Sequence, residues 1–107
     1  MKMMTAEIVK KLPKLYATEQ VATAEKRIIF KLFCPWSNWT WFIVEGGLQA
    51  DGDWLFFGLV DGLEREFGYF SLNELMSITG PGGLKIERDL YFGSPLVKEC
   101  KECQDIV

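Results

Sequence analysis

Apolar positions along the chain change their period twice, and each change marks an element. Ile8, Val9 and Leu12 recur at helical spacing behind Thr5, whose hydroxyl suits an N-cap, so residues 5–12 read as a short helix. Pro13 stops it, because a residue before proline is pushed out of the helical region. A polar connector follows. Residues 27–34 then form a first strand that Pro35 ends, and residues 38–45 a second, rich in aromatic and β-branched side chains. Turn chemistry fills Gly46-Gly47 through Asp51-Gly52, and residues 54–60 make a third strand. The chain reverses either at Asp61-Gly62 or near Glu64-Arg65 and returns as a fourth strand over residues 66–70. Ser71-Leu72-Asn73-Glu74 has capping-box spacing, which predicts a helix from Leu72 to about Ile78 with Leu72, Leu75 and Met76 on one face. Gly80-Pro81-Gly82-Gly83 ends that helix as a connector. Residues 86–92 are short and ambiguous, and residues 93–107 read as a charged, partly mobile tail. The expected fold class is α+β: one domain over residues 1–107, an antiparallel meander of about four strands, and short helices before and after the sheet.

Residues 36–70 hold all four tryptophans and five of the eight phenylalanines. Side chains alternate across a strand, so Phe42 and Val44 point one way while Trp39, Trp41 and Ile43 point the other. The third strand likewise sets Trp54, Phe56 and Val60 against Leu55, Phe57 and Leu59. Neither strand shows the alternation expected when one face meets water. Two short helices must therefore cover two apolar faces. Either one helix lies on each side, with loops and the C-terminal segment filling in, or part of the second face stays open as a dimer interface or partner surface.

Composition narrows the function classes. With 49% hydrophobic and 25% charged residues in 107, the chain suits one soluble globular domain. A net charge of −3 disfavours nucleic acid as a partner, since such affinity comes largely from Lys and Arg neutralising phosphates. Lys10, Lys11 and Lys14, with Lys2 close by, read as a solvated helix face, and as the only candidate basic patch. No apolar run reaches the roughly 20 residues that span a bilayer, so no membrane association is expected. Three cysteines fit a reducing compartment, and the expected location is cytoplasmic.

The absence of histidine removes Ser-His-Asp and Cys-His catalysis within one chain. Cys100 and Cys103 form a CxxC that, with Cys34, offers three thiolates to zinc, but no histidine completes a ligand set and the pair reads as incidental. Asp61, Glu64 and Glu66 flank one turn; paired carboxylates there either serve acid–base or cation chemistry or merely keep the turn soluble, the commoner role. The Gly80–Gly83 run lacks the Gly-Lys-Ser/Thr ending of a phosphate loop. Trp36, Trp39, Trp41, Tyr69 and Phe70 offer a stacking platform for single-stranded nucleic acid, though only Arg27 and Lys31 supply cations nearby, and core packing is the simpler reading. No catalytic, metal or cofactor residue is assigned.

Leu12-Pro13 with residues 15–19, then Ser37-Asn38-Trp39-Thr40-Trp41, Leu55-Phe56-Phe57-Gly58, residues 68–75 and residues 86–92 together resemble the small bacterial family catalogued as domain of unknown function 2958. The resemblance runs from about Thr5 to Phe92 and leaves the cysteine-containing tail outside. It transfers no catalytic residue. It implies an accessory role on plasmids, integrative elements and phage-like regions. The leading expectation is thus an interaction protein that binds another protein or a second copy of itself. Trp36, Asn38 and Trp39 ahead of the second strand, and Asp61 and Glu64 at the turn after the third, are the candidate binding residues. A nucleic-acid-binding module and a carboxylate-dependent enzyme are the alternatives.

Overall fold

The computed structural model describes residues 2–106, with side chains described as far as Cys103. Helix α1 (Ala6–Lys11) begins where Thr5 Oγ1 accepts the Ile8 amide at 3.2 Å. Strands β1 (Phe30–Phe33), β2 (Thr40–Leu48), β3 (Trp54–Asp61) and β4 (Arg65–Ser71) follow, then α2 (Leu72–Met76), whose first turn is capped by Ser71 Oγ accepting the Glu74 amide at 3.1 Å. Glu87–Arg88 adds a two-residue β5. The sheet runs β4-β3-β2-β1-β5 and every pairing is antiparallel, so the fold is α+β with five strands, the expected meander plus one.

Three boundaries differ from the expected ones, each for a local reason. β2 runs straight through Gly46 and Gly47, which pair with Phe56 and Leu55. These glycines permit close approach rather than a turn. A Cβ on Gly46 would sit 2.6 Å from Leu12 Cδ2, and one on Gly47 would sit 3.3 Å from Leu15 Cδ1. The turn itself falls later, where Gln49 N donates to Asp53 O and Gly52 adopts φ +88°. β1 starts at Phe30 rather than Arg27, because the amide of Ile28 turns away to Pro95 O and Arg27 bridges Leu96. α2 stops at Met76, two residues short of Ile78.

Beyond the start of β1, the open edge of β2 is filled by the connector after α1. Gly46 N donates to Pro13 O at 2.9 Å, and a register shift between Ile43 and Glu45 turns the Glu45 carboxylate inward. There it accepts the amides of Tyr16 (2.8 Å) and Thr18 (3.0 Å) and the Thr18 hydroxyl. Lys26 Nζ closes the network on Thr18 O at 2.5 Å. Both charges are buried, and the network satisfies their polar atoms.

The sheet separates two cores. On one face Phe30, Leu32, Trp41, Ile43, Phe56 and Phe70 pack with Met3, Leu75 and Ile86, and with Ile8, Leu12 and Leu72 at the margin. Both helices therefore serve the same face, which corrects the reading of one helix per side. The other face packs Phe42 and Leu59 against Ile28, Val97, Cys100 and Cys103, with Phe67 and Phe92 at the rim. The segment that the sequence marks as a tail supplies this cover: it folds as two short 3-10 turns, Val97–Glu99 and Lys101–Ile106, and Val97 and Cys103 are almost wholly buried.

Candidate functional site

The β1–β2 and β3–β4 connections lie at the same end of the sheet, because Phe33 pairs with Thr40 and Asp61 with both Thr40 and Arg65. The first connection is stiff. Cys34 N donates to Trp39 O at 3.0 Å, Ser37 N to Cys34 O at 3.2 Å, and Trp39 N to Ser37 Oγ at 3.2 Å. Asn38 and Trp39 are held outward; Trp39 is 39% exposed, and Trp36 is half-buried beside them.

Both indoles rest on backbone where only glycine fits. A Cβ on Gly62 would lie 2.4 Å from Trp39 Cζ3, and one on Gly80 would lie 2.5 Å from Trp36 Cδ2 and Cε2. Trp39 thereby stands where three hollows meet. One, of about 370 Å³, is apolar and walled by Cys34, Trp36, Trp41, Ile78 and Ile86. The second, of about 410 Å³, is polar and includes Lys31, Asn38, Asp61, Asp89 and Glu102. The third, of about 350 Å³, is bounded by Val60, Leu63, Glu64 and Glu66. Trp39 and Trp41 lie 6.1 Å apart, tilted by 33°, so the ledge continues down into the first core.

The other four candidate residues from the sequence thus gather around Trp39, although Asp61 and Glu64 line different hollows. Asp61 lies 3.5 Å from Arg65 Nε, and Lys31 Nζ is 2.9 Å from Glu102 and 3.7 Å from Asp89. Carboxylates outnumber cations around the ledge. Asp89, Glu102 and the exposed Leu63 were not singled out as site residues in the sequence, and Lys31 was noted only as a cation near the aromatic rings. Asp89 and Glu102 arrive through β5, which the sequence left ambiguous, and through the C-terminal cover, which it marked as a tail.

Other candidates disperse. Cys34 belongs to one core and Cys100 and Cys103 to the other, so the three thiols do not converge. Cys100 and Cys103 Sγ lie 3.1 Å apart, and burial together with the neighbouring Cys100 pushes the Cys103 thiol far above its ordinary range. Among the described residues no three Cys, Asp or Glu side chains are grouped to hold a metal ion. Lys11 is drawn to Glu7 at 2.9 Å, and that contact holds the Glu7 carboxyl below its ordinary value. No helix among the described residues is long and apolar enough to cross a membrane.

The sheet order, the Ser71 N-cap and the tryptophan ledge occupy the same span that matches a family described as "Protein of unknown function (DUF2958)", residues 3–98. The chain belongs to this DUF2958 family. The match covers the whole sheet and the ledge around Trp39 and stops just after Val97, leaving Cys100 and Cys103 outside. No curated protein and no solved structure matches the chain.

Proposed function

We propose that this DUF2958 protein is a small interaction protein, accessory to bacterial mobile elements, that grips a basic segment of a partner protein at the Trp39 end of its sheet. The observation that carries the reading is the exposed Trp39 ring at the junction of an apolar hollow and two acid-lined ones. Protein interfaces concentrate energy in aromatic anchors set in pockets, and a charged rim selects the partner. An apolar side chain of the partner enters between Trp36, Trp39 and Ile78, and flanking Lys or Arg residues meet Glu64, Glu66 and Asp89. A partner guanidinium over the Trp39 face gains further attraction from the ring. The same carboxylates repel phosphate, which favours protein over nucleic acid here.

Affinity capture from the native host with three baits tests this: the natural chain, Trp39→Ala, and Glu64→Lys with Glu66→Lys. A basic protein should be retained by the first bait alone. Its purified complex should weaken by about 30-fold or more with Trp39→Ala, the scale of a hot-spot truncation near 2 kcal/mol. Equal recovery on all three baits removes the proposal.

A further inference from the structure

β4 ends the sheet on one side and is unlike the guarded edges that soluble proteins usually carry. It spans seven residues, Arg65–Ser71, and pairs with β3 in unbroken register, without a bulge. Neither proline nor lysine interrupts it, and its only charges, Arg65 and Glu66, stand at its first two positions. Among the described residues, none of the backbone hydrogen bonds outside the ladders involves residues 66–71, so the outer backbone groups of this stretch have no backbone partner there. The opposite edge, β5, is two residues long and continues into a turn at Asp89. An exposed edge of this kind is a template for another strand.

We infer that β4 pairs antiparallel with β4 of a second copy of this chain, with the two-fold axis at Gly68. This register is the one that pairs the strand along its whole length. Gly68 meets Gly68 of the second copy, Phe67 meets its Tyr69, Glu66 its Phe70 and Arg65 its Ser71. No like charges are opposed, and a closed isologous pair results. The side chains support the same occupant. Phe67 and Tyr69 share a face with Phe57, at ring distances of 5.7 and 5.0 Å, and Tyr16 adds to the row 6.2 Å from Tyr69. Tyr69 and Tyr16 are both more than half exposed in the single chain. Across the axis this row meets its own copy, and each Phe67 gains a Tyr69 ring. At the axis Gly68 places no side chain on the sheet face, where its Cβ position has nothing within 4 Å.

Light scattering after size exclusion should give twice the 12.3 kDa chain mass at high micromolar concentration, falling toward one chain on dilution. Gly68→Lys sets two ammonium groups face to face on the axis and should give a single-chain mass. Its circular dichroism and melting should match those of the natural chain, since the position is open and its φ is not positive. Gly68→Cys should form a disulfide-linked dimer under mild oxidation, because residues opposed across an antiparallel pair stand about 4.5–5.5 Å apart, within disulfide reach. The natural cysteines are buried, so the unsubstituted chain should not cross-link. A natural chain that stays monomeric at high concentration, or a Gly68→Lys variant that stays dimeric, overturns the inference.

Discussion

Gly62 and Gly80 show how much of the candidate site depends on atoms that are absent. Each gives an indole a flat seat, and each was legible in the sequence only as a turn or connector residue. Which ring lies above a glycine depends on how two distant connections meet, and no local pattern encodes that. Gly62→Ala should lift Trp39 and cost about 1–3 kcal/mol, the range for overpacking. A lowered melting temperature together with a shift in tryptophan emission checks it; emission unchanged from the natural chain would show that the ring does not rest there. Glu45 makes the same point for charge. In the sequence it is the last residue of a strand, yet in the fold its carboxylate accepts two amides and a hydroxyl from the Tyr16–Thr18 turn. Glu45→Gln keeps the shape and weakens charge-assisted bonds, so a loss of about 1–3 kcal/mol in urea denaturation is expected.

At the scale of elements, strands with turn chemistry at both ends were legible, and so were the two capped helices, because caps and turns are local. Which face each helix would cover was not. Both pack on the Phe56 side, and the Phe42 side is closed by a segment whose apolar residues, Val97, Cys100 and Cys103, are spaced three apart among charges. That spacing suits 3-10 turns, where residues three apart share a face, but it is too short to distinguish from a solvated tail. Val97→Asp, which sets a carboxylate against Phe42 and Leu59, should cost several kcal/mol and bring the urea midpoint down sharply. The same segment makes stability depend on pH. The Cys103 thiol is held neutral in the fold, whereas an unfolded thiol ionises at roughly 8.5. Its contribution is therefore whole below that pH and is lost as pH rises above it. Between pH 7 and 10 the natural chain should lose more stability than Cys103→Ala does.

For the molecule as a whole, a net charge of −3 understated the field at one end, because charges distant in sequence collect there. Asp61, Glu64, Glu66, Asp89 and Glu102 come from three separate stretches of chain. Association with a basic partner at the Trp39 end should slow as salt rises, over the range in which the Debye length falls from about 10 Å to about 3 Å. Stopped-flow on-rates measure this. Glu64→Lys should flatten the salt dependence while leaving the melting temperature within about 3 °C, as for an exposed substitution. Sequence reading named Asp61, Glu64 and Glu66 of this surface but assigned no role to Asp89 or Glu102 and did not reveal their common field, since convergence is a property of topology.

The placement of the three cysteines on opposite sides of the sheet also makes the chain its own clock. Alkylating reagents reach a thiol only when its cover lifts. Cys34 is shielded by the helical side, and Cys100 and Cys103 by the turns they themselves belong to. If the C-terminal turns detach as a unit, the two distal thiols will be modified together and ahead of Cys34. If the sheet opens only as a whole, all three will be modified at one rate. Mass spectrometry over a labelling time course thus reads the order in which the two layers come apart.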